Sequence, residues 1–356
     1  MTDKYEIIQQ DIISKIDQDF FVPDKPLPTE LEMVDYYNVS RTTVRRAMKD
    51  LVSQGLLERI AGKGTFVKKQ IKTSEDKTHQ DLYSIILPSH LPEQMKTIQG
   101  AQQFFSQHGC NLSIHFTERG KNEIEILKDV LASSSKGIIA SLYTSHSKNI
   151  KLFFKMQNSN IPIVLLDRKI YGLTSNLITS DNFNGMYSVV NHLIKCGHKR
   201  IAYLSYNTIT SSCLIDRFRG YIQCLLDNNI PFDSSIVSIK SKRILEFDSE
   251  ISNICDSSKG TTAIACSMDE LAIPVYEWAK RNNVIIPDEL SVTGFDNMFA
   301  TSSLIPSLTT IEQDFFQMGY SAAALAMEIQ STSLESKKEI YLPTKLIIKD
   351  SVKTLI

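Results

Sequence analysis

The sequence of 356 residues lacks the features that mark membrane, secreted and metal-binding proteins. No apolar run approaches the ~20 residues that a membrane span needs, and the opening residues MTDKYEIIQQ lack the basic start and apolar core of a signal peptide. The six cysteines are scattered, with no close pair and no metal-ligand spacing. These absences predict a cytoplasmic protein with reduced thiols, no bound metal and no membrane partner.

Catalytic signatures are also missing. No Ser-His-Asp arrangement, carboxylate pair or phosphate-binding loop stands out, and Gly185 and Gly197 fit no nucleotide fingerprint. We therefore expect no enzyme activity and no cofactor. What is present is an ordinary globular composition, with 42% hydrophobic and 22% charged residues. The length predicts roughly two to three domains.

Positive charge is concentrated near the start of the chain. Residues 1–40 hold three Lys/Arg against nine Asp/Glu, whereas residues 41–72 hold nine Lys/Arg against two Asp/Glu. The second segment therefore carries +7 in a chain whose net charge is −1. Such a local excess suits a DNA-contacting surface, although a charged run alone is more often a solvated helix face. The spacing of the residues has to decide between the two.

That spacing predicts three helices. An apolar stripe over residues 3–19 predicts the first helix, and the capping-box pair Thr29 and Glu32 predicts a second from about Glu30 to Tyr37. A three-residue turn leads to a third, basic helix from Arg41 to about Gln54. Two short helices joined by a tight turn form a helix-turn-helix, whose second helix fits the major groove of DNA.

A two-stranded wing is predicted next. Residues 56–60 and 65–69 alternate like strands around a turn that contains Gly62, Lys63 and Gly64. The glycines would let the backbone approach DNA closely, and the lysine adds charge there. The third helix directs basic and hydroxyl side chains outward, where arginine can pair with guanine and threonine can reach bases or phosphates. These side chains are Thr42, Thr43, Arg45, Arg46 and Lys49.

Five motifs in residues 1–69 together resemble the winged-helix signature of GntR-type bacterial regulators. They are Pro28-Thr29-Glu30, Val39-Ser40-Arg41, Thr43-Val44-Arg45, Gly55-Leu56-Leu57 and Gly62-Lys63-Gly64-Thr65-Phe66-Val67. One departure, Val22-Pro23-Asp24, affects a turn and not the DNA face. For Arg46 and Lys49 a phosphate contact and a purely solubilising role both stay open. The resemblance implies DNA contacts from Thr29, Glu30, Arg41, Thr43, Arg45 and the wing residues Gly62 to Thr65.

The rest of the chain has a different pattern. From residue 82, short apolar strands alternate with amphipathic helices, which predicts an α/β body of two Rossmann-like lobes with parallel sheets. Ligands bind such folds at the carboxyl ends of the strands, so a cleft between the lobes is the expected site. The predicted domains are a winged helix at 1–69, a polar linker at 70–81 and the body at 82–356. Lobe 1 is assigned about 82–179 and 309–340, and lobe 2 about 180–308 and 341–356.

Motifs along the body carry a second resemblance. The best are Ile286-Pro287-Asp288-Glu289-Leu290-Ser291-Val292-Thr293-Gly294-Phe295-Asp296-Asn297 and Pro306-Ser307-Leu308-Thr309-Thr310-Ile311. They resemble the sugar-binding effector domain of LacI/GalR-type repressors, in which the chain crosses between the lobes three times, here near Thr179, Thr309 and Leu342. A GntR-type head on such a body is the arrangement of the AraR-type arabinose repressors. Through that likeness Lys4 is expected to contact a DNA phosphate.

The resemblance also implies effector-binding residues. Sugars need polar side chains that converge on several hydroxyl groups, with an aromatic face beneath the ring. Arg217 stands where the family holds effector hydroxyls, Asp296 looks like its acidic partner, and Phe315 stands where an aromatic lines the pocket. Met268 replaces an asparagine that binds sugar in many family members, which leaves the identity of the sugar open.

Four further residues are weaker candidates for the effector site. Asp167 and Asp181 lie at predicted strand ends, and His90 lies in the loop after the first strand. Asp269 is the fourth, although aspartate serves so well as an N-cap that a structural role in the helix after it is favoured.

These patterns predict a ligand-responsive transcriptional repressor. A homodimer would bind palindromic double-stranded operator DNA through two winged helices, and a small sugar, L-arabinose in the favoured case, would release it. The alternatives are the same architecture with another pentose, a hexose or a nucleoside as effector. A solute-binding protein that serves a transporter is disfavoured by the basic head.

Overall fold

The computed structural model describes residues 4–17, 20–21, 25–53, 56–60, 63–67, 80–88, 92–118, 123–142, 158, 161–170, 175–206, 211–240, 247–332 and 337–355. The chain divides into two units, Met1–His79 and Gln80–Ile356. Among the described residues, no helix is long and apolar enough to cross a membrane.

The first unit is a winged helix-turn-helix, which confirms the predicted fold of the head. Helix α1 spans Lys4–Asp17, α2 spans Glu30–Tyr37 and α3 spans Arg41–Ser53. Strand β1 (Leu57–Ile60) pairs antiparallel with β2 (Gly64–Val67), with Leu57 opposite Val67. The predicted extensions of α3 to residue 54 and of β2 to residue 69 lie outside the described residues.

Local hydrogen bonds set the helix starts of this unit. The Thr29 hydroxyl accepts from the backbone of Glu32, and the Glu32 carboxylate accepts from the backbone of Thr29, so the predicted capping box is present. At the start of α3 the Ser40 hydroxyl accepts from the Thr43 N–H at 3.2 Å. One side of α3 is buried against the apolar stripe of α1, through Val44, Ala47, Met48 and Leu51.

In the part of the chain that the structure describes, lobe 1 of the second unit is built on six parallel strands. They are β3 (Leu82–Pro88), β4 (Asn111–Thr117), β5 (Gly137–Ala140), β6 (Ile163–Leu166), β7 (Asn176–Ser180) and β13 (Glu339–Leu342). Their order in the sheet is β13-β7-β6-β5-β3-β4. The described helices of this lobe are α4 (Pro92–Gln107), α5 (Glu123–Ala132) and α10 (Phe315–Thr332).

Lobe 2 repeats the pattern, with four parallel strands among its described residues. They are β8 (Ile201–Tyr206), β9 (Val237–Lys240), β10 (Ala263–Cys266) and β11 (Ser291–Thr293), in the order β11-β10-β8-β9. The described helices are α6 (Asn182–Lys195), α7 (Ser212–Asp227), α8 (Asp248–Ile254) and α9 (Ala272–Arg281). Two parallel-sheet lobes confirm the predicted α/β class of the body.

The chain passes between the lobes at three places. It leaves lobe 1 between β7 and α6, returns between β12 (Thr310–Glu312) and α10, and leaves again after β13. Strand β14 (Lys345–Ile347) then pairs antiparallel with β12, so the second and third connections are hydrogen-bonded to each other.

Both faces of each large sheet are buried, as parallel sheets require. Along β3, Tyr83, Ile85 and Leu87 pack on one face of the lobe 1 sheet, whereas Ile86 packs on the other. Lobe 2 has the same arrangement, with one apolar cluster on each face of its sheet. The strands at the centre of each sheet are largely apolar along their length because helices cover the sheet on both faces.

Glycines allow the helices that cover each sheet to touch. A Cβ built at Gly100 of α4 would lie 2.0 Å from the carbonyl oxygen of Phe316 in α10. One built at Gly319 of α10 would lie 1.9 Å from the carbonyl oxygen of Thr97. In lobe 2, one at Gly220 of α7 would lie 2.2 Å from the carbonyl oxygen of Phe183. Any larger residue would force these helix backbones apart.

Substitution of Gly100 by alanine tests this close approach. Because the new methyl group would meet backbone atoms that cannot rotate away, we expect the free energy of unfolding of the second unit to fall by about 1–3 kcal/mol. Urea denaturation followed by circular dichroism measures the change. Gln103→Ala, at an exposed position of the same helix, is the control. Equal stability of the two variants would contradict the packing argument.

Candidate functional site

Glu30 organises the basic face of the first unit. Its carboxylate lies 2.8 Å from a terminal nitrogen of Arg59 in β1, and 3.4 Å and 3.6 Å from the Nε atoms of Arg45 and Arg41 in α3. The Glu30 side chain is only 20% exposed, whereas the three arginine side chains are 49–61% exposed. One half-buried carboxylate thus holds three guanidinium groups on an accessible face.

The other predicted DNA-contacting side chains differ in their surroundings. Arg46 lies over the Tyr5 ring, 4.1 Å from its centroid, so it ties α3 to α1. Thr29 and Thr42 are exposed. The Thr43 hydroxyl lies 2.7 Å from that of Ser40.

The wing is fixed to the segment before α2. The Leu27 N–H donates to the carbonyl oxygen of Thr65 at 2.7 Å, and Gly64 has φ +121°, a value that side-chain-bearing residues rarely adopt. Lys63 is exposed at the tip of the hairpin. Gly62 and the side chain of Lys4 lie outside the described residues. The DNA-contact assignments stay predictions. The geometry adds Arg59 to the candidate DNA-contacting residues, because it shares the Glu30 carboxylate with Arg41 and Arg45. In the sequence, only its place in the basic segment pointed to such a role.

A cavity of about 110 Å³ lies between the two lobes of the second unit. It sits where the lobe strands end, as the fold class predicts. Ser141 and Asp167 follow β5 and β6 of lobe 1, and Met268 and Asp296 follow the neighbouring strands β10 and β11 of lobe 2. The lining thus joins side chains from both lobes.

Arg217 is the centre of the cavity wall. It is buried in α7, and its Nε donates to the Asn182 side chain at 2.8 Å. One terminal nitrogen donates to the carbonyl oxygen of Ser267 at 2.7 Å, and the other lies 3.1 Å from the Asp296 carboxylate. The guanidinium also stacks on Phe295, 3.7 Å from the ring centroid. All three nitrogens are therefore held in place.

Asp296 is the acidic partner of Arg217, and it is also buried. Its φ of +117° turns the chain after β11, and its carboxylate accepts from the Gln313 side chain at 2.6 Å. Burial raises the pKa of Asp296 to about 7, although Arg217 acts in the opposite direction. Because Gln313 lies in the second connection between the lobes and Asn182 follows the first, this ion pair joins both connections.

Two more of the predicted effector residues line the cavity. Asp167, with φ +63°, lies near the thiol of Cys213, at 3.6 Å, and pairs with Arg168 at 3.4 Å. Phe315, the first residue of α10, supplies the aromatic surface. Together with Arg217 and Asp296 they line one cavity, and their role in effector binding stays a prediction.

Two other predicted effector residues are not part of the described cavity lining. Asp181 caps α6, where its carboxylate accepts from the Asn184 N–H at 3.0 Å. Asp269 is fully buried behind the site, and its carboxylate accepts from the Met298 N–H and from the hydroxyls of Thr301 and Thr310. It does not cap a helix, since Met268 holds the cap position.

These placements follow from local demands. A helix start needs an acceptor for its free N–H groups, and Asp181 provides one. A buried carboxylate needs several donors, and Asp269 finds them within lobe 2 and its connection. The two aspartates therefore stabilise the fold. Burial raises the pKa of Asp269, while its donors act in the opposite direction. His90 lies outside the described residues.

Several polar residues of the cavity lining were not predicted from the sequence, and they include Glu93, Gln313 and Cys213. Glu93 lies in the first turn of α4, and Gln313 lies in the second connection between the lobes. Cys213 is the second residue of α7, where burial raises the pKa of its thiol to about 11. Within the described ranges, no group of three His, Cys, Asp or Glu residues could hold a metal ion.

Comparison with known proteins assigns both units. Residues 4–67 match the family of bacterial regulatory proteins called gntR, and residues 190–352 match the periplasmic binding protein-like domain. The first unit therefore matches a GntR-type regulator domain, and most of the second unit matches a periplasmic binding protein-like domain. This assignment confirms both resemblances found in the sequence.

Two relatives align with nearly the whole chain, and a solved structure aligns with most of it. The arabinose metabolism transcriptional repressor of Geobacillus stearothermophilus is 28% identical over 99% of this chain and 98% of its own length. The protein of that name from Halalkalibacterium halodurans is also 28% identical, over 99% and 97%. A LacI family transcriptional regulator from Enterococcus faecium, solved with bound ribose, covers 77% of this chain and 100% of its own, with a TM-score of 0.65 and 23% identity.

The Glu30→Gln variant tests the arginine cluster of the GntR-type domain. Specific DNA binding should weaken, because Arg41, Arg45 and Arg59 lose the group that positions them, whereas binding to random duplex should not weaken, because one negative charge is removed. Stability should change by less than ~1 kcal/mol, since the arginines are exposed. Fluorescence anisotropy with a selected and a random duplex measures both affinities. Glu58→Gln, on the exposed side of β1, removes the same charge and should spare specific binding.

The Arg217→Met variant tests the ion pair of the effector domain. Removing one partner leaves Asp296 buried and uncompensated, so we expect a loss of about 3–5 kcal/mol in the free energy of unfolding. The matched control is Arg219→Met on the same helix, where the side chain is 67% exposed and its pair with Asp216 lies at the surface. Urea denaturation compares the two variants. A loss of equal size in both would show that the buried pair has no special role.

Proposed function

We propose that the protein is a transcriptional repressor whose affinity for operator DNA is controlled by a small sugar. The observation that carries this proposal is the presence of both sites in one chain. The GntR-type domain presents three arginines around Glu30, and the effector domain has a polar cavity between its lobes. The relatives with matching length are transcriptional regulators, a class that generally lacks catalytic activity.

L-arabinose is the favoured effector. Two relatives that align with 99% of this chain are arabinose metabolism repressors, and the Enterococcus faecium structure of the same fold holds another pentose. The cavity of about 110 Å³ has room for roughly seven to ten water molecules, and a pentose has ten non-hydrogen atoms. Another pentose, a hexose or a nucleoside is the runner-up effector. No further cofactor is proposed.

Buried charge suits this class of ligand. A sugar ring offers hydroxyl groups that both donate and accept, so a carboxylate and a guanidinium fixed side by side can bind one hydroxyl group or two neighbouring ones. Arg217 and Asp296 provide that pair, and Phe315 provides an apolar surface for a ring face. The wall is held in place before a ligand arrives, which lowers the free-energy cost of binding.

Control of DNA binding follows from the position of the cavity. A sugar that contacts both lobes favours the arrangement of lobes in which those contacts are best, and only this differential affinity can shift the equilibrium. In a homodimer, a change between the lobes would alter the spacing of the two DNA-binding domains on a palindromic operator. A tenfold loss of operator affinity corresponds to a coupling free energy of about 1.4 kcal/mol.

Thermal unfolding of the purified protein with a panel of sugars tests the effector assignment. At a hundredfold excess over its dissociation constant, a bound sugar stabilises the native state by about 2.7 kcal/mol, so L-arabinose should raise the melting temperature clearly. D-ribose, D-xylose, D-glucose and adenosine represent the runner-up effectors. If none of these compounds shifts the melting temperature, the sugar-responsive part of the proposal is wrong.

A further inference from the structure

Glu93 links the two lobes at the edge of the cavity. It lies in the first turn of α4 in lobe 1, and its Oε1 accepts from the backbone N–H of Phe299 in lobe 2 at 3.0 Å. The residue is 7% exposed and lines the cavity. Its second carboxylate oxygen, Oε2, is buried and has no hydrogen-bond partner among the described residues. A buried carboxylate oxygen without a donor is unfavourable, so a ligand is the natural source of one.

Two other acceptors in the lining share this condition. Oδ1 of Asp167 and Oε1 of Gln313 are buried and lack partners within the described part of the chain. The Gln313 amide cannot simply be reversed, because its nitrogen donates to the Asp296 carboxylate. Each nitrogen of Arg217 has one acceptor among the described residues, which uses three of its five N–H groups. The empty acceptor positions in the wall therefore call for a ligand that donates several hydrogen bonds.

The charge of the cavity lining narrows the chemical class of the ligand further. Among the described residues of the lining, the charged side chains are three carboxylates, Glu93, Asp167 and Asp296, against two guanidinium groups, Arg168 and Arg217. An anionic ligand such as a sugar phosphate or a sugar acid would add charge of the sign that is already in excess. A neutral polyol supplies hydroxyl donors without that repulsion.

The lobe 2 partner of Glu93 is itself anchored to a buried group. Phe299 begins the short 3₁₀-helix Phe299–Thr301. The flanking Met298 N–H and Thr301 hydroxyl donate to Asp269 at 2.8 Å and 3.2 Å. Asp269 therefore positions the Phe299 N–H, because it holds both ends of the short helix to the interior of lobe 2.

We propose that Glu93 is an effector-binding residue that couples the sugar to the arrangement of the lobes. One carboxylate oxygen holds the Phe299 N–H, and the other accepts a hydroxyl group of an uncharged sugar. The inference rests on the proposed function and extends it. It specifies a neutral polyol without phosphate or carboxylate, and it names the contact through which binding in lobe 1 reaches lobe 2.

The Glu93→Gln variant tests the binding contact. The amide retains the size of the side chain and can still accept from Phe299, but it places an NH₂ group where the free oxygen was. A hydrogen bond to a charged group is strong enough that its loss should raise the dissociation constant of L-arabinose at least about tenfold in isothermal titration calorimetry. Glu125→Gln, at an exposed position of α5 in the same lobe, should bind as the wild type does. Arabinose 5-phosphate should bind the wild type far more weakly than L-arabinose.

The outcomes separate this inference from the function on which it rests. If the wild type binds L-arabinose and Glu93→Gln binds it equally well, the role of Glu93 is overturned and the proposed function stands. Tighter binding of the phosphate would overturn the neutral-ligand assignment. If the wild type binds no sugar of the panel, both proposals fail. Urea denaturation of Glu93→Gln without sugar checks that the variant is folded.

A second pair of variants tests the coupling itself. Phe299→Pro removes the N–H donor, and the first position of a helical turn accepts proline well. Phe299→Ala retains the N–H and removes a side chain that is 74% exposed. We expect the proline variant to bind L-arabinose but to lose most of the sugar-induced drop in operator affinity, whereas the alanine variant keeps it. Equal drops in both variants would overturn the coupling role.

Discussion

The buried ion pair between Arg217 and Asp296 is the contact on which the effector domain depends. Taking two charges out of water is costly, and the cost is offset only when every hydrogen-bonding position is used. Here Arg217 also donates to Asn182 and Ser267, and Asp296 accepts from Gln313. Because these partners come from two interlobe connections and from the end of a central strand, a ligand that touches the pair touches the part of the fold where the lobes are joined.

The DNA-binding domain also places arginines around a carboxylate, but there the arginine side chains are exposed. Glu30 gathers three arginines as Asp296 holds one, but the guanidinium groups in the head remain accessible to solvent. Exposed ion pairs add little to stability, so their value lies in fixing the direction of the arginine side chains before DNA arrives. In both domains a carboxylate therefore determines where positive charge is presented.

Much of this fold was predictable because the signals are local. The capping box set the start of α2, and the alternation of apolar segments identified the parallel sheets. The effector site was predictable only in part. Arg217 and Asp296 stand in recognisable motifs, whereas the role of an aspartate depends on which donors the fold brings to it, as Asp181 and Asp269 show. Glu93 lies in an unremarkable helix start, and only the approach of Phe299 from the other lobe gives it a function.

The central claim is that sugar binding and DNA binding are coupled in one chain. Fluorescence anisotropy of the full-length protein on its operator duplex, with increasing L-arabinose, measures this coupling directly. The operator dissociation constant should rise at least about tenfold at saturating sugar, and by linkage bound operator should weaken sugar affinity by the same factor. An operator dissociation constant that stays the same at saturating concentrations of every sugar that binds would contradict the coupling.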